Sequence, residues 1–122
     1  MKFMEADPNV AYRQQLASER PEPVVLLNQF FVEPNDVEGF LAAWEKDAAF
    51  MSHQPGFIRT QLHRGLEGST VFVNYAEWES AAALAAAVST PTFREGMERY
   101  PASVQTTPQL LERVAVPGVC DA

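Results

Sequence analysis

The sequence predicts an α+β domain with ferredoxin-like βαββαβ order, an antiparallel sheet carrying its helices on one face. Three observations carry this. Val24 to Val32 is a run of β-branched and aromatic residues closed off by prolines on both sides. An apolar stripe follows at 3- and 4-residue steps: Val37, Phe40, Leu41, Trp44, Ala48 and Met51. Two strand-like segments then flank the turn Gly65-Leu66-Glu67-Gly68-Ser69 and lead into an alanine-rich helix. The 122 residues are one domain's worth.

Residues 1–23 are polar and end in Pro21-Glu22-Pro23, so they read as an arm outside the core. Tyr12 and Leu16, at i and i+4, can form one docking turn. Val24–Val32 is a strand, apolar on both faces except at Asn28 and Gln29. A strand buried on both sides needs cover from helices on one face and from something else on the other. Asn35 as N-cap with Glu38 at the capping-box position starts the first helix, and Gln54-Pro55-Gly56 ends it after His53. Phe57–Arg64 and Thr70–Trp78 are the two strands of a hairpin. Ala81–Val88 has strong helix propensity, and Thr90-Pro91 restarts a helix carrying Phe93 and Met97. Leu110–Val116 is the last strand of a domain spanning 24–116, and 117–122 is a tail.

The second face of this sheet carries Val25, Leu27 and Phe31 from the first strand. Left wet, that face is a large apolar patch. Two copies packed sheet to sheet bury it, so the pattern predicts a homodimer built as an α+β barrel.

Composition excludes several functions. Nine basic against sixteen acidic residues give a net charge of −7, with no window of stacked Lys and Arg, so nucleic-acid binding lacks its electrostatic footprint. No run of eighteen apolar residues is present, so no membrane-spanning helix is expected. The first residues carry acids and a proline where a signal peptide needs an apolar stretch, which predicts a cytoplasmic protein. The single cysteine, Cys120, makes neither an internal disulfide nor a cysteine zinc cage. The two histidines sit at no metal-ligand spacing, and glycine-rich phosphate or dinucleotide motifs are absent. Neither metal nor cofactor is expected.

Strand parity proposes where chemistry sits. Val24, Leu26, Asn28, Phe30 and Val32 share one face of the first strand, and Phe72, Asn74, Ala76 and Trp78 share one face of the third. A hairpin closing symmetrically around residue 67 sets Phe57, Arg59, Gln61 and His63 beside them, and a slip of one residue flips that set. A buried amide without partners costs about 1–3 kcal/mol. Asn28 therefore bonds a partner or lines a hydrated or ligand-filled cavity, and Asn74 raises the same question. Two amides, the His63 imidazole and the Trp78 indole N–H around a pocket suit a polar aromatic ligand. Each also has a plainer role: an amide bonded at a strand edge, a packing tryptophan, an exposed histidine. His53 complements the C-terminal dipole of the first helix.

The segments Phe50-Met51-Ser52-His53-Gln54-Pro55-Gly56-Phe57, Leu62-His63-Arg64 and Phe72-Val73-Asn74-Tyr75-Ala76-Glu77-Trp78-Glu79-Ser80 resemble the antibiotic biosynthesis monooxygenase family, over Val24 to Val116. The resemblance implies dimeric α+β barrels with ferredoxin-like subunits. In one branch it implies cofactor-free oxidation of polyphenolic anthrones to quinones by O₂. On that branch Asn28 and Trp78 match pocket residues that stabilise the substrate anion, and Asn74 matches a second pocket asparagine. His63 stands where those enzymes have a tyrosine and is the expected proton acceptor. Phe72, Phe93 and Met97 are expected to line the substrate site with Asn74, and Arg94 or Arg99 to supply a cation. A haem-degrading branch needs a histidine four residues after Phe93, where this chain has Met97, so the axial iron ligand is missing. A polyketide cyclase and a non-catalytic binder of aromatic ligands stay open as alternatives.

Overall fold

The pairing of the strands follows from their apolar runs. A computed structural model describes residues 1–122. In chain order the elements are β1 (Lys2–Phe3), α1 (Tyr12–Leu16), β2 (Val24–Phe31), α2 (Val37–Met51), β3 (Phe57–Arg64), β4 (Val71–Trp78), α3 (Ala81–Val88), α4 (Pro91–Met97) and β5 (Gln105–Leu111). They make one five-stranded sheet in the order β1-β5-β2-β4-β3. The four longer strands pair antiparallel, with β2, the most apolar, between β5 and β4. This is the ferredoxin-like arrangement, with β4 inserted between the parallel strands of a βαβ unit. Side chains of all four helices line a cavity on one face of the sheet.

Local chemistry explains the helix starts. Ser80 accepts from the Ala83 N–H at 3.1 Å and caps α3. Thr90 accepts from the Phe93 N–H at 3.2 Å and caps α4, with Pro91 in its first turn. The expected cap at Asn35 does not form. Pro34–Asp36 makes a 3₁₀ turn instead, so α2 starts one residue later than a cap at Asn35 requires. The Asp36 carboxylate accepts from the Ser103 hydroxyl rather than from its own helix. At the far end of α2, His53 Nδ1 lies 2.8 Å from the Ala49 carbonyl, as the dipole argument expects.

Three expectations need correction. The last strand is Gln105–Leu111, not Leu110–Val116. A strand with Pro108 at its centre breaks the usual pattern, but β1 ends at Phe3 opposite Thr106, so the outer edge of β5 is unpaired at the proline. The arm is not outside the fold. Lys2 and Phe3 pair parallel with Gln105 and Thr106, and Gln15 bonds both Gln109 and the Leu110 N–H. The hairpin register also differs. A bulge between Phe57 and Arg59 absorbs one residue, so Phe57 still faces Trp78 while Thr60, Leu62 and Arg64 pair with Ala76, Asn74 and Phe72.

The core is in two parts. One cluster holds Val24, Leu26, Ala76, Trp78, Ala81, Leu84 and Ala87. The other holds Phe30, Val32, Phe40, Ala43, Phe72, Tyr100 and Val104. Along β2 and β4 the break falls at Asn28 and Asn74, which are cross-strand partners. The site begins at that break.

Candidate active site

A row of alternating apolar side chains interrupted by an amide cannot close its packing there without satisfying that amide. Here four polar side chains from four strands satisfy one another. Thr106 of β5 donates its hydroxyl to Asn28 Oδ1 at 2.7 Å. Thr60 of β3 donates to Asn74 Oδ1. The belt Thr60–Asn74–Asn28–Thr106 thus crosses the sheet. Each asparagine spends its acceptor on a threonine and keeps its amino group free.

Above the belt lies a cavity of about 400 Å³. Its floor is Asn28, Asn74, Thr60, Thr106 and Trp78. Its roof includes Trp44, Asp47 and Met51 of α2, with Phe93 and Met97 of α4. Met1, Phe3 and Tyr12 of the arm form a further wall. Trp78 is 1% exposed and packs edge-to-face on Phe57, centroids 5.4 Å apart. The indole N–H has no protein acceptor. Arg20 Nε is the only side-chain polar atom both fully buried and without a hydrogen bond, so the indole N–H reaches open space in the cavity Trp78 lines.

The roof carries an acid. The Tyr100 hydroxyl donates to Asp47 Oδ2 at 3.2 Å. Burial pushes the Asp47 carboxyl up to about 6, against the pull of the Tyr100 bond and the Arg99 charge. Burial raises the Tyr100 phenol well above its ordinary value, and the neighbouring Asp47 raises it further. Tyr12, in the arm wall, is likewise raised by burial. No three His, Cys, Asp or Glu side chains converge in a way that could hold a metal ion.

The structure brings together Asn28, Trp78, Asn74, Phe93 and Met97, all of which line the cavity. It does not bring in the other three expected residues. His63 pairs with Val73 and is exposed on the opposite face, because the bulge at Ile58 shifts the parity of β3. Phe72 is 2% exposed and packs on Phe40, centroids 4.9 Å apart, inside the aromatic cluster. Arg94 is exposed on α4 and is not part of the lining. Asp47, Tyr100 and Tyr12, with the belt threonines Thr60 and Thr106, are the polar lining that sequence reasoning missed. Asp47 had a signal: it is an acid in the stripe Phe40, Trp44, Met51, at i+3 from Trp44.

The family model described as antibiotic biosynthesis monooxygenase matches residues 23–99. The chain belongs to that family. Among its relatives, deoxynogalonate monooxygenase of Streptomyces nogalater is 33% identical over 72 residues. That match covers 59% of this chain and 60% of the relative, so the chain spans only about three-fifths of the curated relative it matches. The crystal structure of SnoaB, a cofactor-independent oxygenase from Streptomyces nogalater, superposes with a TM-score of 0.70 at 26% identity. It covers 80% of this chain and 98% of SnoaB. A conserved protein from Methanosarcina mazei shares the fold at 14% identity, with a TM-score of 0.68 over 77% of this chain and 95% of its own.

Proposed function

We propose that this chain is a cofactor-independent monooxygenase that oxidises an anthrone-like aromatic substrate with O₂. One observation carries the reading. Both belt asparagines bond threonines through their oxygens and keep their N–H₂ groups free of protein partners, and they line the same cavity as Trp78, whose indole N–H has no protein acceptor. A largely apolar pocket whose sheet floor offers N–H donors is suited to an anion at that floor. Preorganised donors in a dry site stabilise developing negative charge without reorganising. The relatives support the same chemistry, since one acts as a monooxygenase named for deoxynogalonate and the other is a cofactor-independent oxygenase.

An anthrone supplies such an anion. Loss of a proton from its ring methylene gives an enolate electron-rich enough to reduce O₂. The methylene carbon loses two hydrogens and gains one oxygen atom, and the second oxygen leaves as water. Four electrons pass from that carbon to O₂. The amide and indole N–H groups hold the enolate oxygen, and the aromatic lining orients the rings and excludes water.

The test is oxygen uptake by chelator-treated protein with a panel of anthrones and hydroquinones. Uptake matched by quinone formation supports the reading. Conversion without O₂ consumption would replace it with a cyclase, and binding without turnover would replace it with a ligand-binding dimer.

The same proposal includes a homodimer. The helices all stand on one face of the sheet, and the other presents Phe31, Tyr75 and Leu111 at 42%, 40% and 37% exposure beside Val25 and Leu27. Sheet-to-sheet packing of two copies covers it, over an expected area of at least ~1,200 Å². Light scattering should give twice the chain mass at micromolar concentration, and a single-chain mass would reject the dimer.

A further inference from the structure

The amide belt stabilises an anion but removes no proton. Asparagine amides and an indole N–H are not bases at neutral pH. His63, the base suggested by the sequence, lies on the other face of the sheet. The cavity must therefore be searched for a proton acceptor.

The lining contains no histidine, lysine, arginine, glutamate or cysteine side chain. Its titratable side chains are Tyr12, Asp47 and Tyr100. Both phenols are shifted by burial away from ionisation. Asp47 is the one carboxylate. Its Oδ2 accepts the Tyr100 hydroxyl, while Oδ1 has no protein donor and is not sealed off from accessible space. Tyr100 and Arg99 are the titratable and charged groups that act on it, both just beyond α4.

We infer that Asp47 is the general base that takes the ring-methylene proton of the substrate, through Oδ1. The geometry matches the proposed substrate class, on which this inference rests. In an anthrone the carbonyl oxygen and the reactive methylene stand at opposite ends of the central ring. Here the N–H donors are on the sheet floor and Asp47 is on the helix roof. A flat tricycle standing between them presents its oxygen to Asn28, Asn74 and Trp78 and its methylene to Asp47. The C–H bond breaks, its electron pair enters the ring as the enolate, and its proton becomes the carboxylic acid proton of Asp47. After O₂ adds to the carbanion, the acid returns that proton to the peroxide, whose collapse releases water. Asp47 ends as it began. Its burial helps: a carboxyl with a pKa near 6 is a stronger base than an exposed one and is still mostly ionised at pH 7–8. Tyr100 holds the carboxylate in place with one bond.

The test separates proton abstraction from oxidation. Under strict exclusion of O₂, the protein should speed exchange of the anthrone methylene protons with D₂O, read by NMR. Asp47→Asn keeps the size of the side chain and its acceptor for Tyr100. It should slow that exchange and aerobic turnover alike by ~10²–10⁴. In the wild type, exchange should rise with pH along a limb centred near the Asp47 value of about 6. Tyr100→Phe, which removes the donor favouring the ionised form, should move that limb to higher pH. A merely structural Asp47 would leave the limb unmoved. Retained exchange in Asp47→Asn, or an unshifted limb in Tyr100→Phe, overturns the assignment even where the wild type consumes O₂. In the first case the base would be another group. Wild-type protein that neither exchanges protons nor consumes O₂ with any anthrone would sink the oxygenase reading itself, and this inference with it.

Discussion

The two apolar clusters flanking the amide belt are built from different side chains. On one side Phe40 meets Phe30, Phe72 and Tyr100 with ring centroids 4.9, 4.9 and 5.8 Å away. On the other, Ala76, Ala81 and Ala87 surround Leu84 and Trp78. Aromatic rings fill their volume and lock one another in place. Alanines let backbones approach and leave room. The cavity accordingly takes Leu26, Ala76, Trp78 and Leu84 from the alanine-rich side, but only Phe30 and Tyr100 from the aromatic one. One end of the core holds the fold, the other makes space beside it, and the belt between them carries the donors.

That division makes predictions that can fail. The largest effect belongs to the aromatic end. Phe40→Ala should cost about 3–5 kcal/mol in denaturant unfolding, as loss of a fully buried ring does elsewhere. A cost below about 1 kcal/mol would mean that this cluster does not anchor the domain. Asn28→Ala should act in the opposite sense, lowering turnover by about 10²–10³. Its stability cost should stay near ~1 kcal/mol, the loss of one acceptor for Thr106. A larger stability cost with unchanged turnover per folded molecule would make the belt a packing device. Trp78→Phe keeps an aromatic ring and removes the N–H. Turnover should fall about 10- to 100-fold, the range of a hydrogen bond to a charged group. Unchanged kinetics would assign Trp78 to packing alone.

The smallest effect tests the roof against the floor. The Asp47 carboxyl is raised from 3.8 to about 6 in the folded protein. The native state then holds its proton more tightly than the unfolded chain does. Stability from this group is fully present below about pH 4 and is lost as pH rises to about 6. Asp47→Asn removes that loss. It should stabilise the protein at pH 8 relative to pH 4 by about 1 kcal/mol, after allowing for partial solvent screening. Thermal melts of the two proteins at both pH values check the sign.

Some of this was legible in the sequence and some was not, for identifiable reasons. Parity placed Asn28, Asn74 and Trp78 on one face because β2 and β4 pair without interruption from Val24↔Trp78 to Phe31↔Val71. The same parity failed for His63, since one extra residue at Ile58 is invisible to alternation yet flips every side chain beyond it. Asp47 escaped notice because an acid within an apolar helical stripe reads as an imperfection until a cavity is seen beneath it. Pro108 disguised β5, and a two-residue strand such as β1 has no periodicity to read. The Thr60 and Thr106 hydroxyls, which orient the amides, lie 14 and 78 residues from their partners, so only the folded sheet joins them.

The family match divides the cavity wall in two. Asn28, Thr60, Asn74 and Trp78 fall within residues 23–99, the stretch the family model matches, whereas Met1, Phe3 and Tyr12 precede it and Thr106 follows it. The asparagine donors therefore lie in the matched stretch, and part of the wall around them lies outside it. A change in the arm can reshape that wall without moving either asparagine. Substituting Phe3 or Tyr12 should therefore change which aromatic ligands fit while leaving Asn28 and Asn74 in place.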